Sequence, residues 1–131
     1  MKIVVLIARI LLGLVFLVFG ANKIVPFIPA SMPAGAAGQF IGAMVSTKYL
    51  VFVGLCEASS GLLLLANRYV PLALTIVGPV IVNILLVGLL MSRPALPSGL
   101  VVTVLWFVVF WSVRPAFHGI FQQRLPEQPG A

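Results

Sequence analysis

The chain has 131 residues, of which 62% are apolar and only 8% charged, and its formal net charge is +6. A soluble domain carries about 25% charged residues, so this chain could not cover a water-facing surface, and its main solvent must be lipid. Its basic residues are scattered over segment ends and both faces, which fits anionic lipid and does not point to nucleic acid.

A hydrocarbon core of about 30 Å takes about 20 apolar residues per helix. Four such runs fill most of the chain and leave no room for a separate soluble domain. The first is roughly 3–24, interrupted by Arg9. It follows Lys2 and could pass for a signal peptide, but it is too long for an h-region and carries a charge, so it is read as a span. The stretch from Val25 to Lys48 comes next, with a first half rich in Pro, Gly and Ala. Its second half, "QFIGAMVSTKY", reads as a short interfacial or re-entrant helix with Phe40, Ile41, Met44 and Val45 towards the membrane, or else as an irregular loop. The second span is 49–66 and holds Glu57, one of two acids in the chain. The third, 70–91, contains Pro79 and Asn83, and Pro79 should kink it. The fourth, 98–113, is rich in aromatic residues. Barrel strands would be about half as long and would alternate in polarity. The expected fold is therefore all-α: a single domain over 1–131, an integral membrane four-helix bundle with a short helix between the first two spans.

With both termini on one side, that side holds Lys2, Arg68, Arg114 and Arg124, and the other holds Lys23, Lys48 and Arg93. The positive-inside rule then places the termini in the cytoplasm by a slim margin.

At 100° per residue, Arg9, Gly13, Phe16, Gly20 and Lys23 share one face of the first span. Gly54, Glu57, Ala58 and Gly61 share one face of the second. Small residues let membrane helices approach closely, so the charges should point into the bundle. Asn83 is the only amide near the middle of a span, Asn22 lying at the end of the first. With a rise of about 1.5 Å per residue, Glu57 and Asn83 come level near mid-membrane and Arg9 about 6 Å below. The expectation is a buried Arg9–Glu57–Asn83 cluster, with Lys23 at its outer end. Side chains lean towards their own helix N-terminus, which moves Arg9 and Glu57 apart, so a direct pair needs Arg9 to bend against that lean or needs a bridging water. Such a cluster either fixes helix register or lines a polar site for a small molecule, proton or quinone.

Trp106 lies too deep for an interfacial belt, so it packs in the bundle, touches a partner or stacks on a flat ligand. Trp111 and Arg114 suit the belt. Cys56 is the only cysteine and His118 the only histidine. His118 lies beyond the last span, and no Cys, His or carboxylate cluster has metal-ligand spacing, so no metal site is expected. Ser59 and Ser60 read as packing hydroxyls, since no histidine lies in a span to activate them.

"ARILLGLVFLVFGANKI", a Pro- and Ala-rich loop, "KYLVFVGLCEASSGLLLLANRYVPLAL" and "PVIVNILL" in this order resemble the DoxX family of small bacterial membrane proteins. The resemblance implies a four-helix bundle in the bacterial inner membrane. It places Arg9, Lys23, Glu57 and Asn83 at characteristic positions and carries over no catalytic set. The family is associated with quinone-linked sulfur oxidation and redox-stress complexes. Three functions stay open: an accessory subunit of a quinone-linked or redox-associated complex, a small-molecule transporter or permease component, and a scaffold or assembly factor whose cluster is structural. An autonomous enzyme is not expected for want of built-in redox groups. Quinone is the candidate cofactor. The expected partners are lipid, a protein partner or second copy, and a small hydrophobic ligand.

Overall fold

The computed structural model describes residues 2–28 and 32–124. Among these the chain is helical without strands. It forms α1 (Lys2–Ile24), α2 (Gly35–Ser46), α3 (Tyr49–Ala66), α4 (Val70–Leu90) and α5 (Leu96–Val113). Short 3-10 turns, Arg93–Ala95 and Arg114–Phe121, flank α5. Four of these segments are long and apolar enough to cross a membrane. The bundle closes as a ring in which α1 packs on α3, α3 on α4, α4 on α5 and α5 on α1. One end of the ring, the terminal face, carries Lys2, the α3–α4 turn and the end of α5. The other, the α2 face, carries α2 and the α4–α5 turn.

Local chemistry sets the ends. Asn22 Oδ1 accepts from the backbone N–H of Phe27 at 2.9 Å and Ile28 at 2.8 Å, which turns the chain out of α1 just where Pro26 forbids another helical turn. Asn67, in the left-handed region at φ 55°, ends α3, and the Arg68 N–H donates to the Leu63 carbonyl at 3.1 Å. Such a reversal is a common helix stop, and asparagine tolerates it. α4 runs unbroken through Pro79. The helix between the first two spans begins at Gly35, earlier than expected. Ile41 and Met44 turn towards the bundle and line a cleft, and Val45 is exposed.

The α1–α3 seam is the tightest contact. A Cβ at Gly20 would lie 2.5 Å from the Ala58 nitrogen, and one at Gly61 would lie 2.6 Å from the Gly13 carbonyl oxygen. Only glycine permits this backbone approach, which is how membrane helices gain dispersion contacts when no hydrophobic effect separates lipid from leucine. The seam is antiparallel: Gly20 faces Gly54 and Ala58, and Gly13 faces Gly61. The core beside it holds Leu12, Phe16, Leu64, Leu74 and Val77.

Candidate functional site

The seam decides which polar groups can meet. Because α1 and α3 are antiparallel, side chains leaning towards their own N-termini converge only if the α1 residue lies nearer the α2 face than the α3 residue. Lys23 and Glu57 satisfy this condition, and Arg9 and Glu57 do not. Lys23 Nζ donates to Glu57 Oε2 at 2.8 Å. The expected Arg9–Glu57 pair is therefore replaced by Lys23–Glu57. Arg9 Nη1 instead donates to the carbonyls of Leu64 and Leu65, the latter at 3.3 Å. These carbonyls belong to the last turn of α3, where the regular i+4 donors run out, and the Leu64 carbonyl also accepts from the Asn67 N–H at 3.3 Å. Arg9 thus caps α3, a favourable place for a cation at the negative end of a helix.

Glu57 is only 2% exposed, whereas the Lys23 side chain keeps 27% of its surface. The carboxylate is sealed beneath the lysine, and the ammonium has donors to spare. Both line a cleft of about 930 Å³ between the α2 face of α1, α2, α3 and α4. Phe19, Phe40, Met44, Val53 and Val80 make its walls predominantly apolar. Asn83 also lines it and is exposed. Its Nδ2 donates to the Pro79 carbonyl at 3.2 Å, and one N–H and the side-chain carbonyl remain unused within the described residues. The exposure of Tyr49, Phe52 and Asn83 leaves the cleft open at the side of the bundle.

The structure thus brings Lys23, Glu57 and Asn83 to one cleft and sets Arg9 and Trp106 elsewhere. Trp106 packs between α4 and α5. Its Nε1 donates to the Leu74 carbonyl at 3.0 Å, and its ring stacks on Phe110 with centroids 5.1 Å apart. Cys56 lines the cleft beside Glu57, which its apolar spacing alone did not reveal. Ser60 is fully buried, and its hydroxyl has no partner among the described residues. His118 lies in the exposed turn after α5. Among the described residues, no group of three His, Cys, Asp or Glu could hold a metal ion.

Four apolar helices, a glycine-packed seam and one buried ion pair under an apolar cleft define a small helical membrane protein. The sequence profile of the DoxX family matches residues 4–89, about two thirds of the chain, and the protein belongs to that family. No curated protein and no solved structure matches the chain.

Proposed function

We propose that this DoxX family protein is an accessory subunit of a redox-associated complex of the inner membrane, holding a lipid-soluble, carbonyl-bearing molecule of the quinone class in the α1–α4 cleft. The observation that carries the reading is the exposed Asn83 amide facing the same cleft as the Lys23–Glu57 pair. An amide inside a membrane span is costly without a partner, and a ligand carbonyl would supply one. The apolar walls fit a hydrophobic ring or tail, and the side opening suits entry from lipid. Lys23, held in place by Glu57, would donate to one carbonyl, and Asn83 to another. When bound, a quinone would supply two-electron, two-proton carrier chemistry. The chain's own residues bind and orient it, and a protein partner carries the remaining electron-transfer groups. The termini then face the cytoplasm, in line with the basic residues on the terminal face.

Mass spectrometry of the gently purified protein tests this reading. It predicts a co-purified quinone-class molecule together with a redox protein partner. Absence of both from the wild-type protein would favour a scaffold in which Lys23–Glu57 only locks α1 to α3. Ligand-dependent flux in liposomes would favour a transporter.

A further inference from the structure

A second cavity lies at the terminal face, on the side of the bundle where α1 meets α5. It is a groove of about 890 Å³ walled by Val5, Val104, Phe107 and Val108. Two hydroxyls reach it, and both are already committed: Thr103 Oγ1 donates to the Gly99 carbonyl and Ser112 Oγ to the Val109 carbonyl, each at 2.6 Å. The groove therefore offers no free hydroxyl donor along its length. At its end stand two cations, Lys2 from the start of α1 and Arg114 from the end of α5. Arg114 is fixed there, donating to the Trp111 carbonyl at 2.7 Å and lying 4.2 Å over the Trp111 ring. Neither cation forms an ion pair with a described residue, and the only acid among those residues, Glu57, is sealed in the seam.

An apolar slot capped by two cations that no described residue pairs with has the polarity of one amphiphile: acyl chain in the slot, anionic headgroup at the cations. We propose that this groove is a specific site for an anionic diacyl phospholipid, separate from the cleft at Lys23. A second copy of the chain fits poorly, because it would bring a further net charge of +6 towards the same two cations. A zwitterionic lipid would fill the slot equally well but would leave the cations without a net counter-charge. Each cation near an anionic headgroup favours binding roughly fivefold, so the pair should prefer anionic over zwitterionic lipid by about 30-fold.

The test is native mass spectrometry of the full chain released from detergent after incubation with equal amounts of phosphatidylglycerol and phosphatidylcholine of identical acyl chains. The wild type should retain phosphatidylglycerol with about 30-fold preference. K2Q/R114Q should bring the two lipids to near-equal retention, and the charge-preserving K2R/R114K should keep most of the preference. V104W, which fills the groove from an exposed position, should lower retention of both lipids. R68Q, a change in the α3–α4 turn on the same face, should behave as wild type. Helical circular dichroism and elution volume confirm that each variant is folded. Equal retention of the two lipids by wild type, undiminished preference in K2Q/R114Q, unchanged retention in V104W, or a lipid-free dimer in the spectra would overturn the proposal.

Discussion

Lys23 Nζ and Glu57 Oε2 lie 2.8 Å apart across the α1–α3 seam, and the glycines on either side bring the two backbones close enough for this pair to be sealed from one direction and open to a cleft from the other. Breaking a buried pair on one side costs about 3–5 kcal/mol, and removing both partners costs less. Lys23 keeps some exposure, so Lys23→Met should fall near the lower end, about 3 kcal/mol. Lys23→Met/Glu57→Gln should be more stable than Lys23→Met alone. A thermal-unfolding cycle in detergent reads this directly. Two strictly additive losses would mean that the pair contributes no coupling.

Arg9 and Glu57 should behave as independent sites. Arg9→Gln removes a charged donor from the last carbonyls of α3 and should cost about 1.5–3 kcal/mol. Combined with Glu57→Gln, the two losses should add within about 0.5 kcal/mol. A larger interaction energy in the same unfolding assay would restore the Arg9–Glu57 pair.

Two glycines, one in the seam and one outside it, should respond to alanine in opposite directions. Gly20→Ala places a Cβ 2.5 Å from the Ala58 nitrogen and should cost about 1–3 kcal/mol or more, because backbone cannot yield as a flexible side chain does. Gly42→Ala, in the middle of α2 with nothing within 4 Å, should stabilise by about 0.5–1 kcal/mol. Melting temperatures that move the same way for both would contradict this seam.

Ser60 buries a hydroxyl with no partner among the described residues. Replacing it by a side chain of similar shape and no polar atom removes that desolvation cost. Ser60→Ala should therefore be neutral or stabilising by about 1 kcal/mol, read from the shift in melting temperature. A clear loss of stability would show that the hydroxyl is bonded.

Trp106 and Trp111 differ in environment. Trp106 donates to Leu74 and stacks on Phe110, whereas Trp111 is 61% exposed. In single-tryptophan variants, a brominated lipid should quench Trp111 more strongly than Trp106. Equal quenching would place Trp106 at the lipid surface.

The spans were legible because lipid leaves a backbone few choices: runs of about 20 apolar residues must be helical. The glycine stripes were legible for the same reason, since Gly13, Gly20, Gly54 and Gly61 fall on single faces at helical spacing. The partner of Glu57 was not read correctly. Depth measured from the helix ends brought Arg9 within reach, while Lys23 looked like a residue at the end of its span. Two signals pointed the other way. The lean of side chains parts Arg9 from Glu57 and brings Lys23 to it. Matching the glycines as antiparallel pairs sets Arg9 opposite Leu64 and Leu65, at the last carbonyls of α3. The cleft itself was hidden because its end wall comes from α2, and no periodicity within 35–46 says where that helix docks.

The cleft is the centre of this account, and equilibrium binding of a short-chain benzoquinone to the purified protein in detergent tests it most directly. Wild type should bind saturably at one site. Lys23→Met/Glu57→Gln, which removes the charged donor while sparing the seam a lone acid, should weaken binding about tenfold or more, and Arg9→Gln should leave it unchanged. Uptake that rises linearly as in empty micelles, or equal affinity in Lys23→Met/Glu57→Gln and wild type, would contradict the account.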